Sequence, residues 1–265
     1  MVPVICLDPL YPELPTEEKV SRVAKAGFAD IEFWGWRDKN VAAIRAACLA
    51  SGVRVANFSG HRVGSPVAAD THATLFADVA DAIPTARLLD CQALMLLSNA
   101  LNPDGSADRL EAISDDLKYE SMVAALAHLD RVVPKDITLL LEPLNTRIDH
   151  PGYYLDDIET ASRIVRDVGS PRLKILCDLY HFRVMGADLK ELVREHLPRI
   201  GHFHIADVPG RHEPGTGTVD WGEILRLIRS LGYQGGIGFE FFPAGDEEVA
   251  LGVVRDLWAA NATAP

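Results

Sequence analysis

Short apolar runs alternate with longer segments of mixed apolar and polar residues along the whole chain. The runs are rich in β-branched and aliphatic residues, and 137–141, which reads Ile-Thr-Leu-Leu-Leu, is almost continuously apolar. Such runs are typical of parallel strands that are buried on both faces. The predicted strands are Val4–Leu7, Ala29–Trp34, Val53–Phe58, Ala93–Ser98, Ile137–Glu142, Leu173–Asp178, Gly201–Asp207 and Gly236–Phe241.

The segments between these runs have helical periodicity and helix boundary signals. Thr16, Asp156 and Asp220 stand where a capping residue is expected at a helix start. Four glycines that follow helical segments predict helix ends, namely Gly27, Gly52, Gly169 and Gly232. The predicted helices lie near 16–26, 38–50, 70–90, 107–132, 156–168, 187–196, 220–231 and 246–260.

Eight strand–helix repeats with no second compositional zone predict an α/β fold, a closed (β/α)₈ TIM barrel in a single domain. We expect the barrel to span residues 1–260 and a short tail to span 261–265. A doubly wound open sheet is the main competitor. It requires a glycine-rich turn after the first strand, whereas the chain reads Leu7-Asp-Pro-Leu-Tyr-Pro there.

Charge and cysteine usage narrow the classes of function. The 265 residues include 26 Lys and Arg against 38 Asp and Glu, which gives a net charge of −12. This balance disfavours a nucleic-acid partner, because phosphate backbones are bound by clustered cationic side chains. No apolar run approaches the roughly 20 residues that span a bilayer, and the four cysteines form no CxxC pair. We therefore expect a cytoplasmic protein with reduced thiols and no membrane partner.

Charged and imidazole side chains stand at the ends of the last four predicted strands. They are Glu142, Asp178, His204 and Glu240. The carboxyl ends of barrel strands converge on one mouth, so these side chains are expected to meet there. Three buried carboxylates would repel one another unless a cation compensates them, which predicts a divalent metal site. His202 lies on the same strand face as His204 and is expected one layer deeper.

The loops at the mouth offer candidate substrate-binding residues. We expect His181 and Arg211 to contact the substrate, and Asn145 places an amide beyond the fifth strand. The first half of the chain offers Glu32, Trp34 and His61 for the same mouth, although an ordinary role at the barrel rim is as well supported for these three.

Four segments resemble a known family: Leu141-Glu-Pro-Leu-Asn-Thr-Arg, Cys177-Asp-Leu-Tyr-His, the string from Gly201 to Gly217 that reads GHFHIADVPGRHEPGTG, and Gly238-Phe-Glu. With these segments the chain resembles the hydroxypyruvate isomerase family of the xylose-isomerase-like TIM-barrel superfamily. The resemblance implies a metal-dependent isomerase of small hydroxy-carbonyl compounds, which moves a proton through a cis-enediolate. It makes Glu142 and Glu240 both metal ligands and acid/base residues, and it implies Mn²⁺, Mg²⁺ or Co²⁺, a small sugar or keto-acid substrate and a homo-oligomer.

Two departures from the family pattern keep other readings open. His204 stands where hydroxypyruvate isomerases usually have Gln, whereas ketose 3-epimerases of the tagatose, psicose and ribulose type have His. The loop Ser59-Gly-His-Arg-Val-Gly-Ser also replaces a Glu-Arg-Gly type of loop. The alternatives are therefore a ketose 3-epimerase with the same metal site, a metal-dependent phosphodiesterase or AP-endonuclease-like enzyme, and a non-catalytic sugar-binding barrel.

Overall fold

A computed structural model describes residues 1–261 of the chain. Within these residues eight parallel strands close into a barrel in chain order, with β8 paired to β1, so the open-sheet alternative is wrong and the predicted barrel is confirmed. The strands are β1 (Val2–Cys6), β2 (Asp30–Phe33), β3 (Arg54–Ser59), β4 (Ala93–Leu97), β5 (Thr138–Glu142), β6 (Leu173–Asp178), β7 (Ile200–Ile205) and β8 (Gly236–Phe239).

Helices surround the barrel. They are α1 (Thr16–Lys25), α2 (Val41–Ser51), α3 (His72–Leu89), α4 (Asp115–Val132), α5 (Ile158–Val168), α6 (Leu179–Met185), α7 (Leu189–His196), α8 (Trp221–Ser230) and α9 (Glu247–Asn261). Asn261 is thus helical, and the rest of the predicted tail lies outside the described residues. No helix in the described part of the chain is long and apolar enough to cross a membrane.

Two helix predictions differ from the structure. The helix expected from 107 begins only at Asp115, because Ser114 accepts a hydrogen bond from Leu117 N as its cap. The segment before it is tied to a neighbouring loop, since Ala107 N donates to Pro151 O at 2.9 Å. The short helix α6, which directly follows β6, has no counterpart among the predicted helices.

The helix caps also correct two predictions. Asp157, not Asp156, caps α5, since Asp156 instead accepts a hydrogen bond from the Thr146 hydroxyl at 2.7 Å. Pro15 occupies the cap position of α1 without a side-chain hydrogen bond, and Thr16 is the first helical residue. Asp220 caps α8 as predicted, accepting from Glu223 N at 2.8 Å.

The alternation of side chains along the strands places the polar residues inside the barrel. On β5, Leu139 and Leu141 belong to the core between barrel and helices, whereas Leu140 packs inside the barrel. Successive side chains of a strand point to opposite faces, so Glu142 shares the interior face with Leu140. An apolar layer of Met95, Leu140 and Leu176 therefore lies below the strand ends and supports a polar layer above it.

Candidate metal centre and active site

The four predicted ligands converge at the carboxyl end of the barrel. Glu142 and Asp178 are the last residues of β5 and β6, His204 lies in β7, and Glu240 directly follows β8. Each residue contributes one donor atom, and these four atoms lie within 4.8 Å of one another. All four side chains are buried, so their charges are shielded from water. The arrangement can hold one cation between the ends of four consecutive strands.

His204 lies at the centre of this cluster. Its Nδ1 atom lies 2.8 Å from Oε2 of Glu240 and 3.6 Å from Oε1 of Glu142. Its Nε2 atom lies on the other side, 3.1 Å from Oε1 of Glu32. Neither ring nitrogen makes an aligned hydrogen bond within residues 1–261. The ring therefore presents Nδ1 to the carboxylates of the mouth and Nε2 to the barrel interior.

The pKa values of the cluster reflect the conflict between burial and charge. Burial raises the pKa of Glu142, and it raises that of Asp178 to about 7 although the Arg211 charge opposes the shift. For Glu240, burial is outweighed by the charges of Arg211 and His204, which bring the pKa to about 2. His204 has a pKa well above its ordinary value, since Glu32 and Glu240 outweigh the effect of burial. Several buried carboxylates thus depend on nearby positive charge.

Arg211 supplies one of these charges from the loop after β7. One of its terminal guanidinium nitrogens, Nη2, lies 3.2 Å from Oδ2 of Asp178 and 3.0 Å from Oε2 of Glu240. The guanidinium carbon lies 4.9 Å from the centre of the Tyr180 ring. The backbone of Arg211 has a φ of +56°, a region that is unfavourable for residues other than glycine. Its Nε atom is buried and has no hydrogen-bond partner in the described part of the chain, so one donor remains free.

His181 is held at the wall of the same cavity by Asn145. The amide nitrogen of Asn145 lies 2.6 Å from Nδ1 of His181 and 2.5 Å from Oδ2 of Asp149. Because an amide nitrogen donates, Nδ1 of His181 accepts and Nε2 carries the proton. Burial and the neighbouring Arg211 hold the pKa of His181 well below its ordinary value, so the ring is neutral and carries only the proton on Nε2. Asn145 orients His181 and does not itself line the cavity.

A cavity of about 610 Å³ opens above the cluster. Trp34, His181 and Arg211 line it together with Glu142 and Glu240. The indole nitrogen of Trp34 donates to Oε1 of Glu240, and the Trp34 ring lies 6.4 Å from that of Phe242. Several side chains that were not predicted for the site also line the cavity, among them Asp149, His150 and Phe242.

His150 is a cavity residue that was not predicted from the sequence. Its Nδ1 atom lies 2.8 Å from the carbonyl oxygen of Gly105, and its ring lies 5.2 Å from that of His181. Because a carbonyl accepts, Nδ1 of His150 donates, and the other ring nitrogen is an acceptor. The only sequence signal was its position in a polar loop beyond β5, which does not say which loop side chains turn inward.

Glu32 and His61, for which the sequence supports a place at the mouth and an ordinary role at the rim equally, do not line the cavity. Glu32 lies in β2 inside the barrel, with Oε2 at 2.8 Å from Nε2 of His202. His61 follows β3 and is buried, and its Nε2 atom accepts a hydrogen bond from Leu97 N at 3.0 Å. A second, more exposed groove of about 700 Å³ lies between α4 and α5, and none of the four predicted ligands lines it.

Comparison with known proteins gives consistent relatives. The family model described as xylose isomerase-like TIM barrel matches residues 20–257. A putative hydroxypyruvate isomerase of Mus musculus is 32% identical over 259 residues, which are 94% of this chain and 92% of that protein. The 2-oxo-tetronate isomerase of Cupriavidus necator is 28% identical over 258 residues, covering 94% and 95% of the two chains.

Two solved structures illustrate the range of the fold. The structure of an AP endonuclease of family 2 from Brucella melitensis superimposes with a TM-score of 0.87 at 27% identity, covering 97% of this chain and 99% of the other. A D-psicose 3-epimerase superimposes with a TM-score of 0.80 at 19% identity over 99% of this chain and all of the other, which shows the shared fold.

Proposed function

Because the chain belongs to the xylose isomerase-like TIM-barrel family, with hydroxypyruvate isomerases among its relatives, we propose that it is a metal-dependent isomerase of small hydroxy-carbonyl compounds. It is an enzyme of the isomerase or epimerase type. The observation that carries the proposal is the cluster of Glu142, Asp178, His204 and Glu240, two members of which, Glu142 and Glu240, line the cavity. Two carboxylates from β5 and β8, three strands apart in an eight-strand ring, face each other there.

The donor set fits a divalent cation. Three carboxylates and one imidazole are the ligands that Mn²⁺, Mg²⁺ or Co²⁺ take in proteins. Nδ1 of His204 is buried among carboxylate oxygens without an aligned hydrogen bond. A cation would offset the unfavourable free energy of burying the charged carboxylates of Glu142 and Asp178. A bound divalent ion would supply Lewis acidity that polarises the carbonyl group of the substrate.

Glu142 and Glu240 move the proton in this proposal. One carboxylate removes a proton from the carbon next to the carbonyl group, which leaves a cis-enediolate. A carboxylate then returns a proton to the neighbouring carbon while the hydroxyl proton passes to the former carbonyl oxygen, which is isomerisation. Return of the proton to the opposite face of the same carbon is epimerisation. The opposite positions of the two side chains in the barrel suit such transfers on the two faces of one substrate.

Arg211, His181 and Trp34 position the substrate. Arg211 lines the cavity while its Nη2 contacts Asp178 and Glu240, and we expect its guanidinium group to donate to a substrate oxygen. The protonated Nε2 of His181 is a second donor at the same wall. Trp34 closes one side of the cavity and holds one oxygen of Glu240, which leaves the other oxygen toward the cluster.

A ketose 3-epimerase is the second candidate, and the size of the cavity admits its substrate. About 610 Å³ lies within the range of about 300–1,000 Å³ that is usual for small-molecule sites, so a five- or six-carbon ketose fits as well as a three-carbon keto acid. The nuclease alternative requires more histidine ligands. Within residues 1–261 the group of four donor residues has a single His, and the adjacent group of Glu32, His202 and His204 adds only one more.

A substrate panel in deuterated water tests the proposal. Small keto acids, ketopentoses and ketohexoses are incubated with protein and Mn²⁺ or with protein and EDTA, and products and deuterium incorporation are read by NMR. Migration of the carbonyl group indicates an isomerase, whereas inversion at a carbinol carbon with exchange indicates a 3-epimerase. Glu240→Gln should lose the exchange while Mn²⁺ still binds, and Glu111→Gln, an exposed carboxylate far from the cluster, should not. Exchange that is indifferent to EDTA would contradict the metal-dependent mechanism.

Predictions about partners, location and assembly belong with this proposal. We expect the chain to bind a small sugar or keto acid and no nucleic acid, to work in the cytoplasm, and to form a homo-oligomer. Sedimentation of the purified protein tests the homo-oligomer, and retention on immobilised DNA at physiological salt tests binding to nucleic acid.

A further inference from the structure

Directly below the candidate metal centre, a buried carboxylate lies among three polar side chains. Oε2 of Glu32 lies 2.6 Å from the amide nitrogen of Asn57 and 2.8 Å from Nε2 of His202. Oε1 of the same carboxylate faces Nε2 of His204 at 3.1 Å. All of these residues are at most 4% exposed. Glu32 therefore contacts a predicted metal ligand from the side away from the substrate cavity.

Two glycines of β8 make room for this cluster. Gly236 and Gly238 pair in register with His202 and His204. A Cβ atom at Gly238 would lie 2.2 Å from Oε1 of Glu32 and 2.5 Å from Cδ2 of His204, and a Cβ at Gly236 would lie 2.7 Å from Cε1 of His202. The side chains of Glu32, His202 and His204 thus fill the space that the two glycines leave. The pairing of β7 with β8 determines these contacts.

The hydrogen-bond roles in the cluster follow from chemistry. The amide nitrogen of Asn57 is a donor, so Oε2 of Glu32 accepts a hydrogen bond from it. Oε1 is left to face Nε2 of His204 at 3.1 Å, and neither of these two buried atoms has an aligned hydrogen-bond partner within residues 1–261. A carboxylate accepts only, so Nε2, which faces Oε1 of Glu32, keeps a proton when a cation takes the place of the proton on Nδ1 beside Glu240.

We propose that Glu32, fixed by Asn57 and His202, is a positioning residue that keeps the proton of His204 on Nε2 and thereby leaves Nδ1 free to bind the divalent cation. The inference rests on the proposed metal centre and adds a residue that touches neither substrate nor metal. A partner on the non-coordinating nitrogen of a histidine fixes its tautomer and ring orientation, and loss of such a partner typically weakens metal binding by about 10- to 100-fold.

The variant Glu32→Gln reverses the polarity of this contact with almost no change of shape. Asn57 still donates toward position 32, so the oxygen of the new amide takes that place and its NH₂ group turns toward His204. An NH₂ group donates, so Nε2 of His204 must accept and the proton moves to Nδ1. We expect the dissociation constant for Mn²⁺, measured by EPR titration of the protein freed of metal, to rise by about 10- to 100-fold.

The double variant Glu32→Gln with Asn57→Asp restores the polarity. The new carboxylate at position 57 accepts from the NH₂ group at position 32, which turns the amide oxygen back toward His204. We expect Mn²⁺ affinity to recover to within several-fold of the wild type. Asp30→Asn is the matched control, because Asp30 is a buried acid of the same strand that pairs with Arg54 at 2.9 Å at the opposite end of the barrel. Its Mn²⁺ affinity should equal that of the wild type.

A measurement on the wild type keeps the test independent of folding in the variants. In protein loaded with diamagnetic Zn²⁺, the ¹⁵N shifts of His204 should show a protonated Nε2. A proton on Nδ1, an unchanged affinity in Glu32→Gln, or no recovery in the folded double variant would overturn the inference. A second equivalent of Mn²⁺ that is lost in Glu32→Gln would also overturn it, because Glu32 would then be a ligand. Wild-type protein that binds no Mn²⁺ would overturn the proposed metal centre itself, whereas an unchanged affinity in Glu32→Gln or a lack of recovery in the double variant leaves that centre standing.

Discussion

A single indole nitrogen connects the wall of the cavity to one of the two acid/base carboxylates. Trp34 directly follows β2, and its Nε1 donates to Oε1 of Glu240, whereas Oε2 faces His204 and Arg211. The two oxygens of Glu240 therefore have separate partners, which fixes the carboxylate plane. The sequence placed Trp34 at the mouth but gave no sign of this contact, because the residues are 206 positions apart.

Trp34→Phe should remove the donor while the aromatic wall remains. Hydrogen bonds to charged groups contribute about 1.5–3 kcal/mol, so we expect kcat/KM to fall by about 10- to 100-fold, mainly through kcat. Steady-state kinetics on the substrate found in the panel measure this effect. Trp36→Phe, which changes an indole of the same loop that packs against Arg37, is the control and should have kinetics close to the wild type. A fall in Trp34→Phe that is confined to KM would show that the ring binds substrate without orienting Glu240.

Asp178 should make the stability of the protein in EDTA depend on pH. Its pKa is raised by burial to about 7, against about 4 in an unfolded chain, so between these values the folded state holds the proton more tightly. The contribution of Asp178 to the free energy of unfolding is then lost as pH rises through 7. Asp178→Asn keeps an oxygen for its hydrogen bond from Tyr180 N but does not ionise.

We therefore expect Asp178→Asn to be more stable than the wild type in EDTA above about pH 7, with the difference vanishing near pH 4. Urea unfolding at a series of pH values measures the difference. With saturating Mn²⁺ the order should reverse, because the variant lacks a ligand. A difference in EDTA that is constant over the whole range would show that Asp178 is not protonated in the folded state.

At the scale of the element, β8 shows how a short strand determines the interior of a barrel. Residues 236–239 read Gly-Ile-Gly-Phe, and the two glycines face the interior while Ile237 and Phe239 pack toward the helices. Their close contacts with His202, His204 and Glu32 explain why a strand of low β propensity stands at this position. The sequence identified the strand from its apolar residues, but the reason for the glycines lies in β2 and β7.

Gly238→Ala should disturb both folding and the site. The added methyl group would lie 2.2 Å from Oε1 of Glu32, so the histidine layer must shift. Overpacking of this kind costs about 1–3 kcal/mol, and we expect a corresponding fall in the free energy of unfolding together with weaker Mn²⁺ binding. Gly245→Ala is the control, because its Cβ would meet nothing within 4 Å. If both variants behaved alike in urea unfolding and in Mn²⁺ titration, the packing argument would fail.

At the scale of the whole molecule, the repeat of strands and helices was sufficient to predict the closed barrel, because only a barrel gives eight strand ends one common mouth. Glu142, Asp178, His204 and Glu240 were predicted on the same basis, since their strand-end positions follow from apolar runs. The depth of Glu32, the inward turn of His150 and the start of α4 at Asp115 were not predictable. They depend on contacts between loops and strands that are distant in sequence, such as that between His150 and Gly105.

Binding of metal should stabilise the entire barrel, because its ligands come from four consecutive strands. A ligand that binds only the folded state at 100 times its dissociation constant adds about 2.7 kcal/mol to the free energy of unfolding. For a chain of this size we expect Mn²⁺ to raise the Tm by roughly 5–10 °C relative to protein in EDTA, as measured by calorimetry. The double variant Glu142→Gln with Glu240→Gln should lose this increase, whereas Glu111→Gln should retain it. An equal increase in all three proteins would place the stabilising metal elsewhere, because only the four strand-end residues are proposed to bind it.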